Sequence, residues 1–301
     1  MSVAARHVLS QGPVVGALLR TGWVAFRSRS EGTPDTMTTP GPVFEGTVGP
    51  RPPRLVKDYI RHCGGSPSWY KGVVPAHLFP QWGFPMFSKT LEGIPYDLTK
   101  VLNGGCRIEI NHPIPLGEKL RLKACLVDID DNGSRAVLKQ RLITSTETVD
   151  EAIVSYLYAI VPLKKKGDKK KSGKKEKPRV NQDYREIGLW KLHKKAGWEF
   201  AVLTGDFNPV HWVPPYAQAA GFKNCILHGF STLGRSIENL NRVVWSGDAS
   251  RLKTIDVKFT KPLVLPTKVG LFVDDQGGFA VGHNPGGPAY LTGEYTTRED
   301  A

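Results

Sequence analysis

The sequence predicts an α+β fold built twice over, each unit a curved antiparallel sheet wrapped around one central helix, and three observations predict it. From Gly229 onward the apolar residues Phe230, Leu233, Ile237, Leu240 and Val244 recur at steps of three and four, the spacing of a helix with one buried face. Behind it come segments that alternate apolar and polar residues, the period of strands covered on one side. The first half repeats the second: at an offset of 149 residues, Ile108/Val257, Ile110/Phe259, Pro113/Pro262, Ile114/Leu263, Leu116/Leu265, Lys119/Lys268 and Leu122/Leu271 agree in character. A sheet that curls around a single helix buries that helix on most sides, and this order of elements suits it.

A chain of 301 residues with 40% hydrophobic residues can furnish two cores. Residues 1–42 read as an N-terminal extension. It has no acidic residue before Glu31, and its apolar run is broken by Gln11, Gly12 and Arg20, which excludes a membrane span there. Two readings stand for it. A structural helix over 14–26 followed by a Pro/Thr/Gly-rich connector goes with a cytoplasmic protein; a transit peptide of the Arg- and Ser-containing, acid-poor kind goes with the mitochondrial matrix.

The first unit, 43–163, has strands at 106–110, 119–126, 135–146 and 151–161. The second, 181–301, has strands at 254–259, 268–273, 278–281 and 289–297. Between them lies a Lys-rich linker, 164–180. The net charge of +13 suggests a nucleic-acid partner until it is located: residues 164–179 hold nine lysines and one arginine against Asp168 and Glu176, a local +8 that leaves +5 for everything else. No aromatic residue interleaves those lysines, so base stacking has no platform and no nucleic-acid partner is expected. The linker reads as a solvated tether, with attraction of polyanions as the competing role. Cys63, Cys106, Cys125 and Cys225 show no close pairing and no metal-ligand spacing, which points to a reducing compartment and a metal-free protein.

The chemistry concentrates in the run from Phe200 to His211. Gly205 permits a sharp turn, and Asn208 before Pro209 reads as an N-cap and first helical residue, so Asp206 and His211 flank a short turn where one water fits between them. The run resembles the signature of the MaoC-like, or hydratase 2, family: aromatic, small residue, Gly-Asp-x-Asn-Pro-aliphatic-His, five residues, then Ala, ending here at Ala217. Phe200 stands where that family more often has Tyr. Gly221-Phe222 and Ile226-Leu227-His228-Gly229 also fall where the family carries Gly-Phe and Ile-x-His-Gly.

The resemblance implies a double hot-dog fold and a substrate held as a coenzyme A or acyl-carrier-protein thioester, with no further cofactor. It implies reversible hydration of trans-2-enoyl thioesters to (R)-3-hydroxyacyl thioesters. Asp206 and His211 would activate the water, Asp206 as base and His211 delivering a proton to the α-carbon. The N–H of Gly229, at a buried helix start, would polarise the thioester carbonyl. Asn208, Gly205, His228 and Phe222 are expected to bind substrate or organise the turn. A thioesterase, in which the water attacks the carbonyl carbon, and a non-catalytic acyl-thioester binder are the alternatives.

Sliding 200–206 onto 59–65 sets Gly65 where Asp206 would stand and Tyr70 in place of His211. The first unit therefore has no dyad, and one active site per chain is expected. His62 and His77 read as structural. Trp69, Trp82, Phe84, Met86 and Phe87 are either acyl-chain surface or core. A duplicated chain can pair its own halves, acting as a monomer or as a homodimer of double units.

Overall fold

The computed structural model describes residues 7–8, 11–12, 16, 38–98, 101–163 and 177–298. The helix expected over 14–26 and the lysine run 164–176 lie outside them, apart from Gly16. In chain order the first unit contains β1 (Phe44–Val48), α1 (Pro53–His62), β2 (Val73–Val74), α2 (Pro80–Thr90), β3 (Leu102–Ile110), β4 (Ile114–Pro115), β5 (Leu120–Asp131), β6 (Arg135–Ser145) and β7 (Ile153–Pro162). The second contains β8 (Arg185–Leu192), α3 (Ala196–Thr204), α4 (Pro214–Ala219), β9 (Ile226–Leu227), α5 (Gly229–Val243), β10 (Leu252–Phe259), β11 (Leu263–Val264), β12 (Thr267–Val273), β13 (Gly278–Gly282) and β14 (Ala289–Thr297). Arg179 and Val180, assigned to the linker from sequence, already pack on the second unit: Arg179 bridges Pro288, and Val180 is buried against Phe272, Ala280 and Ala289.

The long strands form one antiparallel sheet in the order β1-β5-β6-β7-β3-β10-β14-β13-β12-β8. Each half of that order is the mirror sequence of the other, as a duplicated double hot-dog requires. The halves join where β3 pairs with β10, Ile108 opposite Ile255 and Cys106 opposite Val257. Arg107 pairs with Asp256, and these two residues are also equivalent at the 149-residue offset. The local twofold axis consequently passes between them, and their side chains meet at 3.8 Å.

Burial explains the two central helices. On α5, Phe230, Leu233, Ile237 and Leu240 are buried, and full burial of each such side chain contributes about 1.5–3 kcal/mol. Val244 lies one residue past the helix end and is half-buried. In the first unit α2 buries Trp82, Met86 and Phe87, and the Trp82 indole donates to Thr144 Oγ1 at 3.2 Å. The expectation of one helix per half is corrected: α1 precedes α2, and α3 and α4 precede α5, as shorter helices outside the sheet's wrap. Helix α1 does carry a helical period, Leu55, Val56, Tyr59 and Ile60 forming one buried face, whereas α3 is apolar nearly all round and α4 has only six residues. The edge strands β1 and β8 lie outside the strands expected from sequence: β1 alternates but is only five residues long with no fully buried position, and β8 alternates irregularly.

The joint between the units depends on close approach. Gly105 in β3 has φ +146°, and a Cβ there would lie 2.1 Å from the carbonyl oxygen of Val257. Gly105→Ala is expected to destabilise the protein by about 2 kcal/mol or more, because backbone on the partner strand cannot move aside. Gly133, at φ +73° with open space around it, should cost less than about 1 kcal/mol when changed to Asn. Urea unfolding of the two variants checks the contrast.

Candidate active site

Helix α3 ends because Gly205 takes a left-handed φ of 84°, its N–H bonding the carbonyl of Ala201 at 2.7 Å. The next residue is Asp206. Asn208 then caps a single 3₁₀ turn, Pro209–His211, its side-chain oxygen accepting from the N–H of Val210 at 3.2 Å. Strand β9 pairs with β11, Leu227 opposite Leu263, and that pairing fixes the approach to His228 and the start of α5 at Gly229.

These segments bring Asp206, His211 and His228 together, one polar side-chain atom of each within 4.8 Å of the others. The two imidazoles stack with centroids 3.6 Å apart and planes 25° from parallel. His211 Nδ1 lies 2.8 Å from the carbonyl oxygen of Ile226, and His228 Nε2 lies 2.9 Å from that of Asp206. A carbonyl only accepts, so both nitrogens carry their protons, and the lone pair of His211 is left on Nε2. Burial pushes the His211 pKa below its ordinary value, against the opposing pull of Asp206. Burial and the neighbouring His211 push His228 down to about 3. Two stacked imidazoles held neutral in this way leave one acceptor nitrogen beside one carboxylate.

The N–H of Gly229 takes no hydrogen bond among the described residues. It opens a 15-residue helix whose partial positive charge adds to the donor. A Cβ at Gly229 would meet the Phe259 ring at 2.7 Å, so close packing and a free donor are both properties of this glycine.

The remaining residues divide. His228 is buried and organises the turn through the Asp206 carbonyl. Phe222 packs with Val210, Ala217, Cys225 and Ile226, holding α4 against the loop. All four cysteines are buried and unpaired. Of the five first-unit residues, Trp82, Met86 and Phe87 are core, while Trp69 packs on Gly247, beyond the end of α5 opposite Gly229. Phe84 alone lies half-buried against Phe230, ring centroids 5.8 Å apart, next to the start of α5.

At the first unit's counterpart of the site, a Cβ on Gly65 would stand 2.0 Å from Glu238 Oε2. Tyr70 donates to Glu238 Oε1 at 2.7 Å, Asn241 donates to Oε2 at 3.2 Å, and His77 Nε2 lies 3.3 Å away. A side chain from α5 thus fills the volume where a second dyad would sit. His62 lies 3.2 Å from Arg235 and 3.8 Å from Glu199, in the same buried layer.

Sequence reasoning missed Gly197. A Cβ there would stand 2.0 Å from the carbonyl oxygen of His211, so the turn that carries His211 rests directly on the first turn of α3. The signal was present: a glycine inside an apolar helical stretch costs about 1 kcal/mol relative to alanine and asks for a packing reason.

Three side chains at such spacing suit a metal in principle. Here the His228 nitrogen nearest Asp206 Oδ2, at 3.8 Å, is the one whose proton goes to a backbone carbonyl. His228 Nδ1, buried with no hydrogen-bond partner among the described residues, keeps the lone pair of that ring.

A duplicated hot-dog sheet with a single acid–imidazole site beside a helix start defines the class. Residues 171–281 match the MaoC-like domain, and residues 72–161 match the MFE-2 hydratase 2 N-terminal domain. Together the two matches fall on both halves of the chain. It is 27% identical over 206 residues to the mouse peroxisomal multifunctional enzyme type 2, covering 64% of this chain and 28% of that one. To the peroxisomal enoyl-CoA hydratase 2 of Arabidopsis thaliana it is 29% identical over 184 residues, covering 56% and 58% respectively. The alignments span less than two thirds of these relatives' lengths. Among solved structures, HtdX of Mycobacterium tuberculosis superposes with a TM-score of 0.66 at 19% identity, covering 85% of this chain and all of that one. No helix among the described residues is long and apolar enough to cross a membrane.

Two predictions follow from the local geometry. Gly197→Ala should leave the fold intact and lower kcat on the order of 10²-fold, since the added methyl displaces the His211 backbone. Circular dichroism beside steady-state turnover checks it. The buried histidine sets the second. His228 binds its proton far more weakly folded than unfolded, so the unfolded state holds the extra proton between pH about 6.5 and about 3. Stability is therefore full above that window and falls through it by a few kcal/mol, at ~1.4 kcal/mol per unit. Urea unfolding at pH 7, 5.5 and 4.5 should show a smaller decline in His228→Phe.

Proposed function

We propose that the chain hydrates trans-2-enoyl thioesters reversibly to (R)-3-hydroxyacyl thioesters, the thiol being borne by coenzyme A or an acyl carrier protein. The observation that supports this most is the bare Nε2 of His211 beside Asp206, with the free N–H of Gly229 three residues beyond Ile226, whose carbonyl holds the His211 ring. The (R) stereochemistry rests on the family alone.

In the hydration direction a water sits between the Asp206 carboxylate and His211 Nε2. Asp206 takes one proton as the water oxygen bonds to the β-carbon. Electrons move from the double bond toward the thioester oxygen, which the Gly229 N–H stabilises as an enolate. The α-carbon then receives a proton. His211 begins neutral, its Nδ1 proton committed to Ile226, so a proton it delivers must first pass to its Nε2 from Asp206, which holds the one the water released. Hydroxyl and proton together make up one water added, and dehydration runs the same steps backwards. The acyl group passes the half-buried Phe84, which packs on the buried Phe230, so the first unit contributes to its surface. Reaction requires no metal. The cytoplasm is the expected compartment for a chain with unpaired thiols, and the relatives' names add the peroxisome.

Asp206→Asn is expected to lower crotonyl-CoA hydration on the order of 10²–10⁴-fold with the fold unchanged. Loss of enoyl absorbance is followed beside free-thiol release and with a chelator present. Normal turnover in the variant removes Asp206 as base, thiol release makes the protein a thioesterase, and chelator sensitivity restores a metal.

A further inference from the structure

A residue from the far N-terminus closes the helix that carries the catalytic carboxylate. The last carbonyls of a helix have no partner within it, and α3 ends in the protein interior with Val202 and Leu203 fully buried. Gln11, itself fully buried, donates its side-chain amide to both carbonyls, at 3.2 Å to Val202 and 3.0 Å to Leu203. Asp206 follows three residues after the second. The amide cannot turn over: Gln11 Oε1 accepts from Gln81 Nε2 at 3.0 Å, and Gln81 Oε1 accepts from Arg51 at 2.7 Å. A second N-terminal residue, His7, lies 2.9 Å from Asp58 on α1. His7 and Gln11 thus reach α1 and α3 respectively.

We propose that Gln11 is a positioning residue for Asp206, fixing the end of α3 from which the catalytic turn departs. The extension would then be part of the working active site. The local logic is specific. Gly205 must leave the helix in a left-handed conformation for Asp206 to face His211, and the N–H of Gly205 engages only the carbonyl of Ala201. The two carbonyls after it have Gln11 as their donor. Without it they would draw water, or bend the last turn toward other donors, and either moves Asp206 relative to an imidazole that is separately anchored to Ile226.

The proposal rests on the hydratase reading for its kinetic test but not for its structural one. The full chain is compared with Gln11→Glu, an isostere whose oxygens face the carbonyls, and Gln11→Met, an apolar residue of similar size. Both should lower kcat for crotonyl-CoA about 10- to 100-fold with KM little changed, as expected for a displaced catalytic group. Gln81→Met, which leaves Gln11 in place but unlatches its oxygen, should fall between them and wild type. Amide hydrogen exchange at 204–208 should rise in the Gln11 variants, and the acid limb of the pH–rate profile should shift as Asp206 moves away from His211. A lowered Tm with unchanged kcat, exchange and pH profile at 25 °C overturns the proposal and leaves Gln11 as a structural residue only. If wild type itself does not hydrate enoyl thioesters, the functional reading fails. The exchange measurement then still decides on Gln11: increased exchange confined to 204–208 sustains it, and no change rejects it.

Discussion

Everything in this molecule depends on the pairing of β3 with β10. That ladder makes two curled sheets into one of ten strands, and its centre lies at the facing equivalents Arg107 and Asp256. An antiparallel pair related by a twofold axis needs no separate interface: the backbone hydrogen bonds that complete one unit's sheet also complete the other's. It also sets the two central helices on the same covered side, where Phe79 of the first unit and Phe230 of the second meet edge to face, centroids 5.5 Å apart. The glycine at Gly105 is a consequence of this constraint, since the strands approach too closely there for any side chain.

The twofold relation creates two equivalent site positions, and the chain has used them differently. Strand β2 maps onto β9 with Val74 on Leu227, so Glu238 of α5 corresponds to Pro85 of α2. One helix thus projects a carboxyl group across the axis into the first unit's site, where Tyr70, His77 and Asn241 surround it. The other helix offers a proline with no hydrogen-bonding side chain. A buried carboxyl costs heavily unless its neighbours satisfy it, and Tyr70 and Asn241 do so. The replacement of Asp by Gly at 65 and of His by Tyr at 70 is therefore a coupled change: an acid at 65 would overlap the acid from α5.

Much of this was legible in the sequence. The offset of 149 residues located both copies of the central strands, and β14 was read with its observed ends, Ala289–Thr297. The helix start at Gly229 and the turn at Gly205 followed from spacing and from glycine's tolerance of left-handed backbone. What sequence could not give was contact between distant segments. Gly197 and His211 lie on neighbouring turns whose approach depends on the tertiary path, and Gln11 lies nearly two hundred residues from the carbonyls it serves. The fate of the aromatics was equally hidden. Trp82 and Phe84 are two residues apart on one helix, and only the position of β6 decides that the first is core while the second faces Phe230.

The site's electrostatics follow from the same packing. A base and an acceptor imidazole a few ångströms apart would in water form a simple ion pair, with His211 charged and its Nε2 proton given to Asp206. Two features oppose that outcome. His228, stacked 3.6 Å away, covers one face of the His211 ring, and burial is what pushes the His211 pKa down. Backbone carbonyls on both sides hold the proton of each ring on the nitrogen away from the stack's partner role, Ile226 for His211 and Asp206 for His228. The carbonyl of Asp206 thereby ties the position of the carboxylate to the ring stacked on His211. Displacement of either residue changes both the geometry and the protonation of the pair, which is why the helix end before Asp206 and the glycine beneath His211 matter as much as the two functional groups themselves.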